Sequence, residues 1–290
     1  MKIALCVYGQ PRTFEFCFPS VKKHILDVYH PDVFIASDSQ GDKIKELYRP
    51  VTMEIHSPNE EWQFIGDRRY RYGVLVPCPG WLPQFPISPE QSLSFMFKGW
   101  RCREILKAYE LEHGVYDIVI ATRFDVKFLR IPPITIPEKN CLYIPHTDAN
   151  LGPIDEQGLH WNLGYAAHIY WGSSAIISLV LDAYNWSDGY FQEIQVWCGE
   201  MMMKQLCDKH NIRVQYMDIP CMIIRGDNTH PRSCSPRNGS QGGELLSATH
   251  FPEYWSGPNV TPTAPYYIMT KTDRHSRKER RFDRRLKRTK

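Results

Sequence analysis

The chain has 290 residues, 42% of them apolar and 23% charged, which is ordinary for a globular protein and enough for one large or two modest domains with a buried core. No apolar run approaches the roughly 20 residues that cross a membrane, and Ile3–Val7 is too short for an export signal, whose apolar core runs to about 7–15 residues. The 9 cysteines are scattered without a repeated spacing, which argues against a disulfide framework and fits free thiols in a reducing, cytoplasmic compartment.

The formal charge of +3 conceals an asymmetry, because residues 271–290 hold 11 Lys/Arg against 3 Asp/Glu and leave the rest of the chain net acidic. That segment is expected to be a basic, disordered tail. It offers a peripheral contact for an anionic membrane surface, or a phosphate-backbone contact as in nucleic-acid-binding proteins. Nucleic acid is the weaker expectation, because the tail has only Phe282 as an aromatic and the main body carries no nucleic-acid-binding motif.

Taken in order, Met1–Tyr8 reads as a buried strand that stops at Gly9-Gln10-Pro11-Arg12-Thr13. Glycine there lets the backbone turn tightly or approach a ligand, and Thr13 offers a helix N-cap. Phe14, Phe18, Val21, Ile25 and Val28 recur at helical spacing and predict a helix from Phe14 to about Tyr29, with Pro19 interrupting its first turns. Asp32–Ala36 is a second buried strand, ending in Ser37-Asp38-Ser39. A crossover of this length favours parallel pairing, so both strand ends are expected on one edge. A short helix over Gly41–Tyr48 and a strand over Val51–His56 follow. Residues 57–89, rich in Pro and aromatics with Arg68, Arg69 and Arg71 among them, are expected to form an irregular lid or binding loop. The longest helical stretch opens at Pro89 and reaches about His113.

The central stretch is Tyr116–Asp125. Ile118–Ala121 is apolar and mostly β-branched, as in a strand buried on both faces, and the run then stops on charge. Arg123 and Asp125 lie two apart, so on a continuing strand they point the same way, out of the carboxyl edge where open α/β sheets bind ligands. A carboxylate at that mouth can hold a divalent cation, and an Arg beside it can pair with phosphate or orient the carboxylate. A plain surface ion pair fits the same two residues. Beyond it, Val126–Leu129 is extended, Cys141–Ile144 and Tyr165–Trp171 are strands, and a polar loop between them carries Asp155, His160 and Trp161. Ser173–Tyr184 and Cys198–His210 are helices, the second with Glu200 in its first turn. Ile212–Met217 and Met222–Arg225 are final strands, and Gly226–Pro265 is loop-rich.

The Gly-Gln-Pro-Arg-Thr loop, the helix with Ser-Phe-Met-Phe-Lys (Ser94–Lys98), the Tyr-Asp-Ile-Val-Ile-Ala-Thr-Arg-Phe-Asp block, Gly199-Glu200, and Ile212, Val214 and Arg225 occur in that order. In this the chain resembles a loose group of GT-A-type glycosyltransferases of viral and bacterial surface-polysaccharide pathways, over about residues 1–225. The resemblance implies an α/β, Rossmann-like fold with a mostly parallel central sheet flanked by helices. It implies one catalytic domain over 1–270, with 1–130 the nucleotide-binding half and 131–270 the acceptor half.

It implies transfer of a sugar from a nucleotide-diphosphate donor to a hydroxyl of a glycan or glycoconjugate. Gly9, Gln10 and Arg12 would receive the nucleotide, Asp38 its base or ribose, Lys98 its diphosphate, and Arg123 its phosphate or ribose. Asp125 and His250 would ligate Mn²⁺ or Mg²⁺, and Glu200 would act as base. Arg123 stands where metal-dependent relatives have the first acid of Asp-x-Asp, so a nucleotide-binding relative without activity fits the same pattern.

Overall fold

The computed structural model describes residues 1–71, 89–145, 168–194, 199–224 and 232–234. All belong to one compact unit, Met1–Cys234. The first half of the chain alternates strand and helix. It runs β1 (Ile3–Tyr8), α1 (Phe14–Val21), a π-helical turn (Lys22–Leu26), α2 (Asp27–Tyr29), β2 (Asp32–Ser37), α3 (Gly41–Tyr48), β3 (Thr52–Ile55), α4 (Pro58–Arg71) and α5 (Pro89–His113). Then come β4 (Ile118–Arg123), β5 (Val126–Phe128), β6 (Cys141–Pro145), β7 (Ile169–Gly172), α6 (Ser174–Leu181), α7 (Ala183–Ile194), α8 (Gly199–Lys209), β8 (Arg213–Met217), β9 (Cys221–Ile223) and β10 (Arg232–Cys234).

The fold is α/β. Seven strands form one sheet in the order β3-β2-β1-β4-β7-β6-β8. Pairing is parallel from β3 to β4 and between β6 and β8, and only β7 runs against its neighbours. A three-stranded antiparallel sheet, β10-β9-β5, hangs from the end of β4.

Both faces of the large sheet are covered, which is why its central strands are apolar throughout. Along β1 the side chains alternate: Ala4, Cys6 and Tyr8 face a core built with α5, α6 and α8, while Ile3, Leu5 and Val7 face one built with α1 and α3. Leu5, Phe34, Ile35 and Ile120 are fully buried. Each such apolar side chain contributes about 1.5–3 kcal/mol through its removal from water.

Four expectations are corrected. Residues 58–71 are helical, because Ser57 and Glu60 form a reciprocal cap (Ser57 N to Glu60 Oε2, 2.6 Å; Glu60 N to Ser57 Oγ, 3.2 Å) with Pro58 at the first helical position. Thr13 sits at the N-cap of α1 without capping it; its hydroxyl donates instead to the Ile224 carbonyl at 2.8 Å and ties α1 to the chain after β9. The helix begun at the Ser173 cap stops at Asp182, and a separate helix, α7, follows. Finally, β4 ends at Arg123, so Asp125 lies in the turn before β5 and not on a continuing strand.

Candidate functional site

The strand order reverses between β1 and β4, and in open α/β sheets the carboxyl ends of the strands flanking such a point frame the ligand crevice. Tyr8, the last residue of β1, is paired with Arg123, the last of β4, and with Ala36 near the end of β2. Gly9 and Arg123 are therefore on one edge. Gly9 has φ +113°, a conformation that side-chain-bearing residues rarely adopt. Its N–H donates to the Ala36 carbonyl at 3.2 Å, and its own carbonyl accepts from Ser37 Oγ at 3.3 Å. Gln10 and Arg12 are exposed on the loop that follows, with Arg12 Nε donating to Gln10 Oε1 at 2.9 Å.

Arg123 and Asp125 meet although the strand ends between them. Arg123 Nε donates to Asp125 Oδ1 and Nη2 to Oδ2, both at 2.8 Å, a bidentate fork that holds both groups in one plane. Asp125 is buried, at 3% exposure. The guanidinium lies over the Phe95 ring, 5.2 Å from its centroid, and Phe95 in turn packs on Tyr8 at 4.9 Å. A Cβ on Gly9 would lie 3.8 Å from the same Phe95 ring. Burial raises the Tyr8 phenol well above its ordinary range, so it stays protonated and hydrogen-bonds Tyr170.

The start of α8 reaches this corner. Gly199 lines a small apolar cavity of about 40 Å³ together with Tyr8, Phe95 and Trp186. Helix α8 thus begins beside the Arg123 platform, with Glu200 as its second residue. The Glu200 side chain, His250, Asp155, His160, Trp161 and the whole of 235–290, basic tail included, lie outside the described residues.

Next to the Gly9 turn, one buried and one half-buried charge group join β2, β3, α4 and α5. Lys98 is 0% exposed, and its ammonium donates to Glu61 Oε2 at 2.6 Å and Ser94 Oγ at 2.8 Å and pairs with Asp38 Oδ2 at 3.2 Å. Its surroundings are carboxylates, where the sequence suggested phosphate. Arg101 forks onto Glu54 at 2.8 and 3.0 Å, and His56 Nδ1 lies 3.2 Å from Glu54 Oε1. Burial pushes the Glu54 carboxyl up, but the hydrogen bonds from His56 and Arg101 outweigh it and leave the group below the usual carboxylate range.

Sequence reasoning did not single out Glu61, Glu54 or His56. The Ser57-x-x-Glu60 spacing was the available signal for α4, and with it for Glu61.

Among the described residues, no group of three or more His, Cys, Asp or Glu could hold a metal ion, and both Asp125 oxygens accept from Arg123. The described residues alone therefore do not fit a Mn²⁺ or Mg²⁺ site. A larger cavity, of about 380 Å³, opens on the opposite edge of the sheet, among Lys2, Asp32, Tyr109, His113 and Tyr116. The reversal of strand order and the Arg123–Asp125 fork lie at the carboxyl edge, away from this larger void.

No helix among the described residues is long and apolar enough to cross a membrane. No protein-family model matches the chain, and no curated protein does.

Proposed function

We propose that the chain is a GT-A-like glycosyltransferase that moves a sugar from a nucleotide-diphosphate donor to a hydroxyl of a glycan or glycoconjugate. The observation that carries the reading is the convergence of the Gly9 turn and the Arg123–Asp125 fork on one carboxyl edge, at the reversal of strand order. The arrangement β3-β2-β1-β4, with helices on both faces, supports a nucleotide-binding half.

In this reading the acceptor oxygen attacks the anomeric carbon as the bond from that carbon to the diphosphate oxygen breaks. The electron pair leaves with the diphosphate, and the hydroxyl proton passes to the Glu200 carboxylate. The difficulty is the charge that builds on the leaving group. Arg123, fixed by Asp125 and Phe95, and the exposed Arg12 are guanidinium groups suited to it, and pre-orientation means little reorganisation as that charge develops. Asp125 acts by holding Arg123. No step here runs through a metal.

A second reading, nucleotide binding without transfer, is favoured by one observation: the fork engages both oxygens of the only acid in the Arg-x-Asp sequence. One experiment separates the two. Release of nucleoside diphosphate is measured from a panel of nucleotide sugars, with and without Mn²⁺ or Mg²⁺, for the native chain and Asp125→Asn. Transfer predicts turnover of at least one donor and a fall of roughly 10²–10³ in the variant, the cost of misplacing a charge-stabilising group. Undiminished turnover in the variant rejects the site, and tight binding without turnover selects the second reading.

A further inference from the structure

We infer that Lys98 is a positioning residue that presents Asp38 to the ribose hydroxyls of the nucleotide; the inference rests on the nucleotide-binding reading above. Lys98 has three N–H donors, and three protein groups face them, on α4, α5 and the end of β2. With no exposed surface, it has no donor to offer a phosphate. The shortest contact is to Glu61, at 2.6 Å against 3.2 Å to Asp38, so Glu61 is the more strongly paired of the two carboxylates.

Two carboxylates against one ammonium leave an excess negative charge. It resides at Asp38, the more exposed of the two, with a side chain 13% exposed against 8% for Glu61. Asp38 Oδ1 accepts from Ser39 Oγ at 3.0 Å and Oδ2 faces Lys98, so each oxygen keeps a lone pair for a further donor.

A fixed, net-negative acceptor at the end of β2 repels phosphate and attracts hydroxyls. In doubly wound nucleotide sites an acid at this position bonds the ribose. The crevice is thereby polarised: the ribose lies at Asp38, and the diphosphate lies towards Arg12 and Arg123. Lys98 supplies the rigidity, since a carboxylate tethered beneath the Gly9 turn does not lose its side-chain freedom when the ligand arrives.

Calorimetric titration with ADP, GDP, CDP and UDP, with their 2′,3′-dideoxy counterparts, and with inorganic pyrophosphate tests this. The native chain should bind at least one ribonucleotide about tenfold or more tightly than its dideoxy form, the value of one hydrogen bond to a charged group. Asp38→Asn should bring the ratio to within about twofold. The charge-balanced pair Lys98→Met/Glu61→Gln should do the same, with pyrophosphate affinity held in both. Glu61→Gln alone, which leaves Lys98 to draw on Asp38, should lower the ratio part-way, and it decides the matter where the double variant does not fold.

Folded variants that keep the native ratio overturn the inference. Equal binding of both forms by the native chain overturns it and leaves the nucleotide reading standing. No binding by the native chain removes both.

Discussion

Replacing Lys98 by Met keeps most of the side-chain volume and removes one charge from the best-buried ion cluster among the described residues. Glu61, at 6% exposure, loses a 2.6 Å partner and is paired with no other cation among the described residues, while Asp38 retains some access to water. Breaking a buried pair by removing one partner costs about 3–5 kcal/mol. With Asp38 able to rehydrate, the lower end applies, about 3 kcal/mol. For a unit of this size that corresponds to a fall of roughly 6–12 °C in Tm, at about 2–4 °C per kcal/mol. Adding Glu61→Gln removes the stranded charge, so the double variant should recover at least about half of the loss, a clear departure from additivity. Urea unfolding followed by tryptophan fluorescence measures both, with the midpoint moving and the slope unchanged. A single-variant loss below about 1 kcal/mol, or a double variant less stable than the single, would refute the buried-tether account.

Two further predictions follow from the same edge. Gly9→Ala introduces a Cβ with room around it, 3.8 Å from Phe95, but at φ +113°. The cost is therefore backbone strain of about 1–3 kcal/mol, and a melting temperature unchanged from the native chain would contradict it. Glu54 has its folded-state pKa lowered, because the His56 and Arg101 hydrogen bonds overcome burial. Its contribution is present above the unfolded carboxylate value of about 4.3 and lost as pH falls through the lower folded value. Glu54→Gln should therefore destabilise the chain at pH 7 and make less difference at pH 3; an equal loss at both pH values rules the linkage out.

Much of the first half of the chain was legible. Helices Gly41–Tyr48 and Pro89–His113 carry their boundary signals in Gly and Pro and in the spacing of their apolar residues. The uninterrupted apolar runs of β1, β2 and β4 announced strands buried on both faces. Helix α4 was hidden because its pattern is weakly amphipathic: over its described side chains, residues 58–65, Ile65 is the one buried apolar residue, and Phe64 gains its partners, Phe97 and Trp100, only when α5 arrives. The reversed direction of β7 depends on which strand it meets, and no periodicity encodes that.

In the site, Gly9, Arg123 and Asp125 could be found because an apolar strand run stops at each place: Gly9 follows the last residue of β1, Arg123 is the last of β4, and Asp125 lies two residues on, in the turn. The Lys98 tether could not. Its partners come from positions 38, 61 and 94, so only the packing of α4 and α5 on the sheet turns an apparent phosphate-binding lysine into one enclosed by carboxylates.

The central claim is the location of the crevice, and amide hydrogen exchange with and without a saturating nucleoside diphosphate tests it most directly. The account predicts added protection at residues 9–13, 37–39 and 123–125, around the carboxyl ends of β1, β2 and β4. Protection confined to Asp32, Tyr109 and Tyr116, around the larger cavity on the other edge, would contradict it.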